Sequence, residues 1–325
     1  VADFPKSPFA PAAQYGIGAS MHDKGDYPSA ATALTKLLTA YPKSEVAGRG
    51  IHLRGTCLHR QGQFAPAIKD FNDFLATKPA IEEALAARFA LAQSQVGLKQ
   101  FDQAIASLNA LLKQKPDYQR ADDVYYEMAF AYLAAKKEKE AADSFRKLTT
   151  SQPQSPLAAE SWYRVGEFYE KSKQLTEAAA AYSSGLKTAK RPAVREKLFF
   201  KLGNIQHAQG LFPQALQTFQ TQVKEYPKGE LLHAANYLTG DCLFQQKKYA
   251  DAMKSFTAVI VSEDAQAREH REAALYRSGE CAAALKQWDR SEQSFQALIK
   301  MFPKFSQIDE ARYGLGLALQ YQKKL

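Results

Sequence analysis

Cysteine is scarce in this chain, with three residues in 325, and none of them forms a Cys-x-x-Cys pair. That scarcity argues against both a disulfide framework and a thiolate zinc site. No run of eighteen apolar residues occurs, so no segment has the length and character of a transmembrane helix. The sequence does not open with a basic stretch leading into an apolar run, the pattern of a secretory leader. Catalytic motifs are missing too. The glycines of "GRGIHLRG" from Gly48 lack phosphate-loop spacing and the Lys-Ser/Thr that must follow. The stretch "AREHREAA" around His270 has the wrong order for a zinc-protease helix. The paired carboxylates Glu82-Glu83 and Asp122-Asp123 are expected at helix starts, where they face the positive end of the helix dipole. No enzymatic activity, cofactor or metal is expected.

What the chain does contain is enough apolar residue for a core, 46%, beside 24% charged. Its 43 basic and 34 acidic residues leave a net charge of +9. Lysines stand singly or in short groups such as Lys136-Lys137 and Lys247-Lys248, interleaved with carboxylates. This reads as the solvated face of helices, and no nucleic-acid partner is expected.

The dominant signal is repetition. Ala30, Ala67, Ala104, Ala141, Ala178, Ala215 and Ala252 follow one another at 37 residues, and Ser291 comes 39 further on. Twelve residues before each stands a second small residue: Gly18, Gly55, Ala92, Ala129, Gly166, Gly203, Gly240 and Gly279, with Gly316 opening a ninth copy. Proline follows twelve after the alanine column at Pro42, Pro79, Pro116, Pro153, Pro227 and Pro303. Each copy therefore holds two apolar-periodic segments of helical length, joined by a short polar turn and closed by proline. Pro5 lies 37 residues before Pro42. Residues 1–10 are accordingly expected to end a preceding repeat or form an N-terminal cap, residues 11–308 to make eight repeats, and residues 309–325 to be the first helix of a truncated ninth.

This arrangement resembles the tetratricopeptide repeat (TPR), a helix-turn-helix unit of about 34 residues. The fifth copy carries it best, with Trp162, Val165, Gly166, Tyr169, Ala178 and Tyr182 matching the family's Trp, Leu, Gly, Tyr, Ala and Phe. The resemblance implies an all-α, right-handed superhelical solenoid of antiparallel helix pairs that binds partners in a concave groove. Three extra residues per unit fall around the proline, as in "YPKSEVA" and "YPKGELLHA". This variant resembles the repeats of bacterial cell-envelope proteins of the Tol-Pal coordination protein and outer-membrane assembly lipoprotein type. It implies a periplasmic or envelope location, with the cytoplasm as the alternative, and membrane contact only through a partner or an anchor outside this sequence.

The same resemblance marks candidate groove residues. The column three before the glycine reads Tyr15, His52, Phe89, Tyr126, Tyr163, Phe200, Tyr237, Tyr276 and Tyr313. Two roles are open to it: a ladder of rings gripping a peptide or protein partner, or packing between neighbouring first helices. Further candidates are Arg49, His59 and Arg60 in a basic opening section, Phe130 in an apolar one, Glu167 and Glu170 in an acidic middle, then Asn204 and Asp241. His22, His52 and His59 fall at registers compatible with a metal or pH-sensitive site, with polar groove lining as the favoured alternative. Phe200 stands where chaperone-tail clamps have lysine, so that ligand class is not expected. The reading is a non-enzymatic interaction scaffold. The alternative is a regulatory or targeting segment of a larger multidomain protein.

Overall fold

The structure, a computed structural model, describes residues 6–324. The Pro5 turn therefore lies outside the described residues. All described regular structure is helical. The chain divides into two compact units, one ending at Leu157 and the other beginning at Ala158. The first holds four helix pairs: α1 (Ala10–Asp23) with α2 (Tyr27–Ala40), α3 (Ala47–Arg60) with α4 (Phe64–Ala76), α5 (Ile81–Gly97) with α6 (Phe101–Gln114), and α7 (Ala121–Ala134) with α8 (Glu138–Ser151). The second holds α9 (Ala158–Lys171) with α10 (Leu175–Thr188), α11 (Pro192–Ala208) with α12 (Phe212–Glu225), α13 (Leu232–Gln245) with α14 (Tyr249–Ile260), and α15 (Arg268–Ala284) with α16 (Trp288–Met301). It closes on an unpaired first helix, α17 (Ile308–Tyr321).

Two small-residue columns hold each pair together. Every member of the Ala30 column is 0–1% exposed, Ser291 included. Ser291 Oγ donates to the carbonyl of Gly279, 3.1 Å away, which shows the two columns facing one another across the crossing. The glycine column leaves room for a ring rather than for bare backbone. A Cβ at Gly203 would lie 2.5 Å from the Phe219 ring, and one at Gly240 would lie 2.5 Å from Phe256. Phe71, Phe145, Tyr182, Phe219, Phe256 and Phe295 are thus buried beneath the first helix of their own repeat, and the same rings also meet the next one, as Phe295 meets Gly314. In these six repeats one ring joins the pair to its successor, and Leu34 and Leu108 take the position in the first and third repeats.

The three extra residues are accommodated in two ways. After α2, consecutive turns bond Ser44 N–H to the Tyr41 carbonyl and Ala47 N–H to the Ser44 carbonyl. Where that turn is absent, the first helix grows by three residues at its start, so α5, α11 and α15 reach 17 residues against 14 for the other first helices.

The turn inside each pair has one recurring geometry. The residue seven after the glycine column has positive φ in all nine copies: Gly25, Gly62 and Gly210, but Lys99, Lys136, Lys173, Lys247, Lys286 and Lys323 elsewhere. Lys136 N–H bonds the Leu133 carbonyl and Lys137 N–H the Tyr132 carbonyl, the paired bonds of a Schellman cap. A side chain in this left-handed conformation costs energy that glycine avoids.

Replacing Ala178 by Leu should overpack the crossing and cost about 1–3 kcal/mol, read as a lowered urea midpoint. Lys136→Gly should instead raise stability by roughly 0.5–1 kcal/mol, because relief of the left-handed strain outweighs the added freedom of the unfolded chain. A lysine variant as stable as its glycine counterpart would contradict the strain assigned to that turn.

Candidate functional site

First helices of successive repeats touch directly: α1 with α3, α3 with α5 and α5 with α7 in one unit, and α9 with α11, α13 with α15 and α15 with α17 in the other. Second helices meet chiefly the first helices flanking them. In each unit the first helices therefore form the closer-spaced row, and the column of rings runs along it.

Five of those rings pack against the second helix of their own repeat. Tyr126 lies 5.8 Å from Phe145, Tyr163 6.0 Å from Tyr182, Phe200 6.2 Å from Phe219, Tyr237 5.7 Å from Phe256 and Tyr276 6.1 Å from Phe295. Each is anchored against the buried ring of its own repeat. Tyr15, His52, Phe89, Tyr126, Tyr163, Phe200 and Tyr237 nonetheless remain half-buried, so one edge stays accessible. Tyr276 is buried more deeply, whereas Tyr313 on α17, with no second helix behind it, is 71% exposed. Burial, aided by the neighbouring Glu167, pushes the Tyr163 hydroxyl up to about 12, so it stays a neutral donor. Phe130 packs 4.8 Å from Tyr126 and 5.5 Å from Phe145, extending the apolar section.

The polar candidates are tied together more than their types suggest. Glu167 pairs with Arg164 at 3.0 Å. Glu170 accepts from the Tyr182 hydroxyl at 2.7 Å and from Lys201 Nζ at 3.0 Å, which bridges the fifth and sixth repeats. The middle section is therefore acidic in sequence but paired in space, its carboxylates offset by Arg164 and Lys201. Further along, His207 Nε2 lies 2.7 Å from Asp241 Oδ2, Arg277 Nε lies 3.3 Å from Asp241 Oδ1, and Arg277 reaches Glu280 at 2.9 Å. Burial alone would raise the Asp241 pKa. The His207 hydrogen bond and the Arg277 charge outweigh it and hold the carboxyl below its usual range. Arg277 also lies 4.7 Å over the Phe244 ring. Lys201 and Arg277, two residues before the glycine column, complete these pairs and were missed when only the groove registers were read.

The histidines do not converge. His22 contacts Asp23 and the edge of Tyr27. His52 stacks on Phe74 at 4.8 Å, and its pKa is lowered by burial. His59 meets Ser94 Oγ at 2.9 Å. Among the described residues no cluster of three His, Cys, Asp or Glu is arranged to hold a metal ion. Cys57, Cys242 and Cys281 are fully buried, and burial pushes their thiols up to about 11, about 12 and about 12. They pack helices and are poor nucleophiles.

Arg49 covers the Tyr15 ring at 5.6 Å. Arg60 is exposed, and Asn204 is half-buried with its amide bonded to no other described residue. Together with the ring edges, these are the groups left available to a ligand.

This geometry defines a helical-repeat solenoid. A tetratricopeptide repeat model matches residues 89–156, 126–193 and 200–268, and a second matches 273–304. The chain belongs to the tetratricopeptide repeat family, whose fold serves protein–protein interaction. A model for subunit 3 of the anaphase-promoting complex, or cyclosome, matches residues 23–111. Among solved structures, the C-terminal part of a TPR-containing protein from Cytophaga hutchinsonii is similar, with 14% identity, 93% of this chain and 99% of that one covered, and a TM-score of 0.52. YrrB, described as a TPR protein with an unusual peptide-binding site, is similar at 17% identity, 63% and 97% coverage and a TM-score of 0.51. No curated protein matches the sequence.

Asp241→Asn should cost about 1–3 kcal/mol at neutral pH, by weakening charge-assisted bonds to a buried carboxylate. Because the folded carboxyl titrates below its ordinary 3.8, this contribution is complete above that value and lost as the pH falls through the lower, folded pKa. Urea unfolding of parent and variant across pH should show the gap closing on acidification. A gap that stays constant would detach it from the charge.

Proposed function

We propose that the chain is a non-enzymatic scaffold that holds a protein or peptide partner along its row of first helices, in a complex of a bacterial cell envelope. The observation that carries this reading is the column of half-buried rings, of which Tyr126, Tyr163, Phe200 and Tyr237 are each fixed by a buried ring behind them. Pre-set rings give a partner contact area at little entropic cost. The internally paired charges between them leave a surface of mixed polarity, suited to hydrogen-bonding a peptide and ill suited to tracking a uniform phosphate backbone. The peptide-binding site named for YrrB supports the same use of the fold. The turn sequences "YPKSEVA" and "YPKGELLHA" support the envelope assignment.

Affinity capture from envelope and soluble fractions of the source cell tests this directly. The parent should retain a specific protein, chiefly from the envelope fraction. Arg60→Glu, at an exposed position, and Tyr163→Ala, checked for folding by circular dichroism, should each weaken retention roughly tenfold or more if they lie within the contact. Equal retention by parent and both folded variants would sink the ring-face assignment. A partner found only in the soluble fraction would sink the envelope assignment alone.

A further inference from the structure

The turn inside each repeat can be reduced to a three-residue tip, the left-handed residue with one neighbour on either side. The nine tips are Lys24–Asp26, Gln61–Gln63, Leu98–Gln100, Ala135–Lys137, Ser172–Gln174, Gln209–Leu211, Gln246–Lys248, Leu285–Gln287 and Gln322–Lys324. They contain ten lysines and a single acid, Asp26. That excess of nine equals the net charge of the whole chain, whose remaining basic and acidic residues balance at 33 each. The positive charge is therefore concentrated at the tips, which corrects the reading of an evenly interleaved surface.

Six of those lysines, Lys99, Lys136, Lys173, Lys247, Lys286 and Lys323, are the left-handed residues themselves. All six are exposed, and none is paired with a carboxylate among the described residues. Glycine fills the position at Gly25, Gly62 and Gly210 and shows that the turn does not need lysine. Neighbours at the tips behave differently, since Lys137 pairs with Asp102 at 2.7 Å and Lys324 with Glu292 at 2.8 Å. The fold gains no visible contact from the six and accepts a strained backbone to present them.

We infer that this edge of each unit docks on an anionic lipid surface. The tips follow successive first helices, most of which touch their neighbours within a unit, so the tips of a unit share one edge and the attraction of their lysines to a charged plane accumulates. The tips hold no arginine and no aromatic ring. They therefore lack the guanidinium forks and stacking platforms that favour nucleic acid, and their large apolar side chains are limited to Leu98, Leu211 and Leu285, one in each of three tips, with no apolar cluster of the kind a folded protein partner buries. Flexible, strongly hydrated lysines without shape complementarity suit headgroups, where attraction accumulates with each charge. The contact needs no membrane-spanning helix and leaves the row of rings free. It gives the chain a membrane contact of its own, where the sequence pattern suggested only an indirect one.

The test is co-sedimentation of the full chain at low salt with vesicles of phosphatidylcholine containing about one quarter phosphatidylglycerol, and with vesicles of phosphatidylcholine alone, a composition chosen to supply the headgroup charge. The parent should bind the anionic vesicles, release them as salt rises, and ignore the neutral ones. The Lys173→Gly/Lys247→Gly/Lys286→Gly/Lys323→Gly variant retains the turn conformation and should bind roughly tenfold or more weakly, while the corresponding Lys→Arg variant should retain binding. The inference is overturned if the parent stays in the supernatant, if the glycine variant binds equally, or if a DNA duplex is held more tightly than the vesicles. None of these outcomes bears on partner capture by the ring column.

Discussion

The crossing of the two helices in each repeat is the constraint from which the rest follows. A fully buried alanine on the second helix faces a small residue on the first. At Gly55, Gly166, Gly203, Gly240 and Gly279 the space left by the missing side chain is filled by a ring four residues beyond the small residue of the second helix, and at Gly18 by Leu34. The ring then has one face against its own first helix and another against the next repeat, so closing one pair prepares the surface on which the following pair stacks. Cooperation between neighbours in a solenoid is usually described as an interface energy. Here it has an identifiable carrier, one side chain per repeat. It also fixes the first-helix ring that leans on it, so packing and the candidate binding surface share the same atoms.

Architecture was legible in the sequence because it is periodic. The two small columns, the aromatic positions and the prolines each report a steric requirement that recurs at every crossing, so a single chain contains its own comparison set. Cys57, Cys242 and Cys281 share one register, two residues after the glycine column, and all three are buried packing residues. The individuality of the groove was less legible. Glu167, Glu170 and Asp241 looked like free acidic determinants because their cations, Arg164, Lys201 and Arg277, stand in another register or another repeat. Periodicity identifies which face a residue occupies, but an ion pair depends on side-chain reach between repeats. The histidines failed for a related reason. Similar registers placed them on similar faces, yet each found a nearer partner in Asp23, Phe74 or Ser94.

The lysine tips show a different kind of oversight. Their signal was fully present in the sequence, seven residues after the glycine column, but whole-chain charge counting dilutes it. Knowing that the position is left-handed changes the meaning of the residue. A lysine on a helix face is an ordinary solubilising choice, whereas a lysine where glycine serves three other repeats is retained against a backbone preference.

Two surfaces of the repeat thus differ in the physical terms that shape them. Along the first helices, charges are paired and rings are anchored, so the surface is pre-organised and its contacts are set by position. At the turn tips, the six left-handed lysines are unpaired and repeated, so attraction is additive and insensitive to detail. The first arrangement suits discrimination between partners; the second suits attachment to an extended charged plane. Because the tips project from the turns and the rings lie along the helices, occupation of one leaves the other open within the same repeat. A solenoid built this way can hold a partner while resting on a surface, with each function altered by substitutions that leave the crossing untouched.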